Sequence, residues 1–112
     1  MAHNRRCRIT VLKCGLDQEL AERFDPQSRP CQLFHEGQEF VLDQNGMGGY
    51  WHLMGGSFCS EAWASISNYI DTILQGGTFE TPDGTNYKIA CCPHGIHPVV
   101  FKIEMVGEAA SN

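Results

Sequence analysis

The side chains best able to do chemistry in this chain are six cysteines, Cys7, Cys14, Cys31, Cys59, Cys91 and Cys92, together with the imidazoles of Cys92-Pro93-His94-Gly95-Ile96-His97. A thiolate is both a nucleophile and a soft metal ligand, and an imidazole is both a base and a ligand, so the two admit either metal binding or thiol catalysis. Cys59 follows Gly55-Gly56-Ser57-Phe58 at the expected start of a long helix. Free backbone N–H groups and the positive end of the dipole favour an anion there, which lowers a thiol pKa. The competing reading is a small apolar residue tucked under the helix start. Cys92, His94 and His97 fall at and just beyond a strand end, where ligands and catalytic groups are commonly carried. Cys91 and Cys92 are successive residues of an alternating strand and therefore face opposite ways, Cys91 with Tyr87 and Ile89, Cys92 with Lys88 and Ala90. Only one of them can easily join a shared site.

Three readings use these groups. In the first, Cys31, Cys59 and Cys92 bind zinc or iron, with a fourth position open or filled by His94, His97 or a small molecule. Three protein ligands with an open place are what catalytic metal sites use. The chain has no C-x-x-C pair, so such a site depends on the fold bringing a proline-rich loop over the helix start. In the second, a metal-free thiol enzyme uses Cys59 or Cys92 as nucleophile and His94 or His97 as base, or Cys59 as a redox thiol that another cysteine resolves. Either reading implies a small-molecule substrate. In the third, the domain is noncatalytic, its cysteines fill the core, and an exposed aromatic loop binds a protein partner. His3, His35 and His52 read as solvated or hydrogen-bonded. Phosphate-binding glycine fingerprints and G-x-S-x-G are absent, and Asp43, Glu61 and Asp83 fall in no acid/base pairing.

The elements that must position these groups follow from periodicity. Residues 7–14 alternate, with Cys7, Ile9, Val11 and Lys13 on one side and Arg8, Thr10, Leu12 and Cys14 on the other, which predicts a strand ended by Gly15. Asp17 is placed to cap a short helix through Phe24, closed by Pro26. Residues 25–37 read as an irregular connection that delivers Cys31, and Gln38 to Asp43 as a second strand. The glycine-rich stretch 45–56, which also holds Met47, Tyr50, Trp51, Leu53 and Met54, reads as a loop that either packs on the surface or covers a pocket. From Ser60 to Gln75 apolar residues recur at helical spacing, and Gly76-Gly77 supplies the stop. Residues 85–92 and Val99 to Val106 predict a closing hairpin around the 93–98 connection. The expected fold class is α+β, a small antiparallel or mixed sheet packed against one long helix and one short helix.

Length and composition set the frame. A chain of 112 residues with 42% apolar and 19% charged residues is long enough to bury a core as one domain. The core is expected over about residues 7–106, with Gly107 to Asn112 as a fraying tail. No apolar run approaches the ~20 residues that cross a bilayer, and the amino terminus does not look like a signal peptide. The expectation is a cytoplasmic protein whose cysteines stay thiols or ligands and not disulfides. A net charge of −5 argues against a nucleic-acid partner, and Arg5, Arg6 and Arg8 read as the solvated start of a strand. Oligomeric state is left open.

Pro30-Cys31, Glu36-Gly37-Gln38-Glu39-Phe40, Phe58-Cys59-Ser60-Glu61-Ala62-Trp63 and Cys91-Cys92-Pro93-His94-Gly95, followed by Pro98-Val99-Val100-Phe101-Lys102, occur in that order. With these blocks, spanning about residues 7–105, the chain resembles a small family of uncharacterised cysteine-containing bacterial and archaeal proteins, common in anaerobes. The resemblance implies a free-standing cytoplasmic domain in which Cys31, Cys59 and Cys92 are the most characteristic polar positions. It implies no established activity.

Overall fold

A computed structural model describes residues 5–43 and 58–108. The glycine-rich stretch expected as a loop lies outside the described residues, as do His3, His52 and residues 109–112. The elements run β1 (Arg5–Cys14), α1 (Gln18–Phe24), β2 (Glu39–Asp43), α2 (Ser60–Leu74), β3 (Tyr87–Cys91) and β4 (Val99–Glu108). The four strands form one antiparallel sheet in the order β2-β1-β4-β3, so the alternative of a mixed sheet falls away and the α+β class stands. β3 and β4 pair as the expected hairpin. β4 continues through Gly107 and Glu108, two residues beyond the end that its alternation suggests.

The long helix α2 lies on one face of the sheet, against β1, β3 and β4. Its stripe of Ala62, Ile66, Ile70, Ile73 and Leu74 meets Cys7, Ile9, Val11, Leu42, Val99, Phe101 and Ile103, all fully or almost fully buried. Each large aliphatic side chain removed from water there contributes roughly 1.5–3 kcal/mol before chain entropy is subtracted. The helix ends in a Schellman motif, in which Gly77 N donates to Thr72 O at 2.8 Å and Gly76 N to Ile73 O at 3.1 Å. Gly76 adopts a φ of 96°, in the left-handed region. A Cβ on Gly77 would lie 2.6 Å from Thr72 Cγ2, so both glycines are required. Arg5 completes this end, donating from Nη1 to the carbonyls of Gly77 at 2.7 Å and Ile73 at 3.3 Å. Arg5 is thus part-buried at the negative end of the helix dipole, not part of a wholly solvated cluster.

Asp17 caps α1 as expected, its Oδ1 accepting from Leu20 N at 3.0 Å. α1 buries only Ala21, and Phe24 at its end is 67% exposed. No helix among the described residues is long and apolar enough to cross a membrane.

Candidate functional site

The site begins with an irregularity in β1. Val11 pairs with Phe101 and Lys13 with Val100, so Leu12 is an extra residue in the ladder, a β-bulge. A strict alternation puts Cys14 on the face opposite Cys7, Ile9 and Val11. The bulge reverses that parity: Cys14 pairs with buried Val99 and packs half-buried against the core, while Leu12 and Lys13 are exposed. The side assigned to Cys14 and Lys13 from alternation is therefore corrected, because one inserted residue shifts a period-two pattern by one position.

Once turned inward, the Cys14 thiol donates to Phe34 O at 3.5 Å, and Cys14 N donates to Glu36 Oε2 at 3.2 Å. Burial raises its pKa above the ordinary thiol range, and negative charge on Cys31, Glu36 and Cys92 raises it further, so all three stand within electrostatic reach. Cys31, half-buried, arrives from the irregular α1–β2 connection. Cys92, 5% exposed, comes from just past the end of β3. Its Sγ accepts from Val99 N at 3.3 Å, and its own N–H donates to Val99 O at 3.1 Å. Cys91 is exposed and Cys92 buried, so the two do face opposite ways, and Cys92 is the one directed inward.

The helix start reaches the same end of the sheet through aromatic packing. Phe34 lies edge-on to Phe58 at 5.0 Å and to Phe101 at 5.3 Å, and Phe58 lies against Trp63 at 6.1 Å. Cys59, next to Phe58, is the N-cap of α2 and is half-buried against the core. Its side chain makes no capping hydrogen bond. In the first turn of α2 Glu61 meets the β3–β4 connection, with His94 Nε2 3.3 Å from Glu61 Oε2. The rings of His94 and His97 stack at 4.9 Å and 17°. The connection is also tied to the end of β1, by Asp17 N to Ile96 O at 2.7 Å and Gly15 N to Pro98 O at 2.9 Å.

Between the α1–β2 and β3–β4 connections lies a cavity of about 210 Å³, lined by Asp25, Ser28, Pro93, His94 and His97 among others. His97 Nδ1 is buried without a hydrogen-bond partner. A second cavity of about 250 Å³, between Lys13, Gly15, Leu16, Asp17, Pro98 and Val100, has neither thiol nor imidazole among its described lining residues.

Of the residues singled out from the sequence, Cys31 and Cys92 stand within electrostatic reach of Cys14, His94 and His97 form a separate stacked pair, and Cys59 stands at the helix start that His94 reaches through Glu61. Among the described residues no group of three or more His, Cys, Asp or Glu side chains could hold a metal ion, so the set Cys31, Cys59, Cys92 and His94 draws no support from geometry. Cys14 is the member that sequence reasoning missed. The available signal was Lys13, a charge at a position that regular alternation would bury, which marks a break in the pattern. Cys7 belongs to a different class: it is wholly buried in the core, and desolvation pushes its thiol up to about 12. No family model, curated protein or solved structure matches the chain.

Proposed function

We propose that this protein carries out metal-free thiol chemistry, exchanging disulfides with a small molecule through Cys31, Cys14 and Cys92. The observation that supports the reading best is that Cys31 and Cys92, from separate parts of the chain, stand within electrostatic reach of Cys14, which the bulge at Leu12 turns inward. Cys31, half-buried, is the attacking thiol. Cys14 and Cys92, more shielded from water or held as neutral thiols, are the partners that resolve the mixed disulfide. Cys59 at the helix start is a fourth thiol within the same end of the molecule, and His94 and His97 are the adjacent proton-handling groups. Membership of the cysteine family that the chain resembles, a cytoplasmic setting that keeps these thiols reduced between turnovers, and a short helix that walls the site opposite the long one are parts of the same proposal.

A metal-bound form of the cluster is the second reading, supported by the gathering of soft donors alone. One experiment separates the two. Protein purified without oxygen or chelator is analysed for zinc and iron, then equilibrated with graded ratios of glutathione and glutathione disulfide and mapped by peptide mass spectrometry. The expected result is metal-free, folded protein that forms a disulfide within the set Cys14, Cys31 and Cys92, lost in Cys31→Ala. Near-stoichiometric metal that disappears in Cys31→Ala, Cys59→Ala and Cys92→Ala overturns the thiol reading in favour of the metal.

A further inference from the structure

The cavity beside the two histidines is walled by the two connections that carry Cys31 and Cys92, and no cysteine is among its described lining residues. Asp25 and Ser28 lie on the connection that reaches Cys31 three residues later, and Pro93, His94 and His97 lie on the connection that leaves Cys92. Among the described lining residues, a molecule seated there faces one carboxylate, from Asp25, together with a serine hydroxyl and two imidazoles, and no Lys or Arg. Glu61, paired with His94, and Glu36, bonded to Cys14 N, add carboxylates at the borders of the site. The cavity volume of about 210 Å³ limits the occupant to a small molecule. Among the described residues Nδ1 of His97 has no hydrogen-bond partner, which leaves it available to a polar group of an occupant.

A metal ion is a poor occupant. The two imidazole rings are stacked nearly parallel, which keeps their nitrogens from converging on one ion, and Nε2 of His94 is directed at Glu61. The surroundings suit a hydrogen-bonding cation.

We propose that this cavity is the substrate site of the thiol centre and that it takes a small disulfide bearing an ammonium group. The inference rests on the thiol reading above. The ammonium sits by Asp25, and the disulfide is presented to Cys31. The Cys31 thiolate attacks one sulfur of R–S–S–R, forming a mixed disulfide and releasing R–S⁻, which takes up a proton to leave as R–SH. Cys14 or Cys92, as thiolate, then displaces the second R–S⁻. The protein dithiol is oxidised by two electrons to a disulfide, and R–S–S–R is reduced to two R–SH.

The test compares the rates at which reduced protein reacts, at low ionic strength, with three disulfides of similar size: cationic cystamine, neutral 2-hydroxyethyl disulfide and anionic 3,3′-dithiodipropionate. Each rate is measured in the wild type, in Asp25→Asn and in Glu80→Gln. Glu80 is exposed and does not line the cavity, so its variant makes the same charge change at a different place. The expected result is a preference for cystamine over the neutral disulfide that falls about threefold to fivefold in Asp25→Asn, the size expected of one exposed charge, and persists in Glu80→Gln. Because the readout is a ratio within each variant, a partial loss of folded protein cancels. Equal preference in both variants, or no preference in the wild type, overturns the cavity assignment and leaves the thiol reading standing. Failure of all three disulfides to react with Cys14, Cys31 or Cys92 overturns both.

Discussion

Cys7 and Cys14 lie on the same strand, seven residues apart, and the fold puts them to opposite uses. Cys7 pairs with Leu42 on one side and Met105 on the other and is sealed beneath α2, where desolvation is the main cause that lifts its thiol to about 12. Cys14 sits beyond a bulge, half-buried, hydrogen-bonded through both its backbone and its sulfur, and within electrostatic reach of two other thiols. Both pKa values are raised, so a shifted pKa alone does not mark a working thiol. Cys7 is shut off from water, whereas Cys14 stands within electrostatic reach of Cys31 and Cys92 and belongs to the set proposed to exchange a bond. The regular half of β1 builds the core, and the irregular half builds the site.

The largest expected effect breaks the shared floor of that site. Phe34 is buried and meets Phe40, Phe58 and Phe101, and its carbonyl accepts the Cys14 thiol. Phe34→Ala should cost about 3–5 kcal/mol in denaturant unfolding, the usual range for a buried aromatic. It should also speed alkylation of Cys14 in the native protein while leaving Cys7 protected. Equal acceleration at Cys7 would mean that the two ends of β1 do not open independently.

Raising the pH sharpens the same contrast. The pKa of Cys7 is about 12 in the folded protein, against an ordinary thiol value of 9.0 in the unfolded chain. The unfolded chain therefore releases this proton first. The stabilisation is fully present below about pH 9 and is lost as pH rises towards about 12, with a limit of about 4 kcal/mol from three pKa units at about 1.4 kcal/mol each. Unfolding curves between about pH 8 and about 10.5 should show stability falling with pH in the wild type and a shallower slope in Cys7→Ala. The raised pKa of Cys14 acts in the same direction, so Cys7→Ala should reduce the slope without abolishing it.

The smallest effect is expected from deleting Leu12. Removal of the extra residue leaves Lys13 outward and Cys14 inward in an unbroken ladder, so the disulfide pattern with Cys31 and Cys92 should survive, with a smaller loss of stability than Phe34→Ala causes. If the strand were regular, Cys14 would face outward in the wild type and the same deletion would turn it inward, so the disulfide pattern would appear on deletion instead of surviving it.

Much of the architecture was legible in the sequence. The apolar stripe of α2, its paired glycine stop, the Asp17 cap and the closing hairpin each follow from local periodicity or local chemistry, and each is found close to where it was expected. The site was less legible, for reasons that belong to particular residues. Cys14 joins it through a one-residue slip that depends on pairing with β4, which no local pattern fixes. Arg5 caps a helix whose end is about seventy residues away in sequence, and its partners are carbonyls that carry no residue signature. The His94–Glu61 contact likewise depends on where two distant segments meet. Alternation did separate Cys91 from Cys92, because that strand stays regular up to its end.

The most direct measurement is residue-resolved alkylation of all six cysteines by mass spectrometry, before and after equilibration with glutathione disulfide, and again in denaturant. The expected result is that Cys31 and either Cys14 or Cys92 lose alkylation after the mild oxidation, two thiols per molecule, while Cys7 is unreactive in both native samples and is alkylated fully only on unfolding. Native-state alkylation of Cys7 as rapid as that of Cys14, or full retention of free thiols at Cys14, Cys31 and Cys92 after oxidation, would contradict the division of this protein into a sealed thiol and a working set.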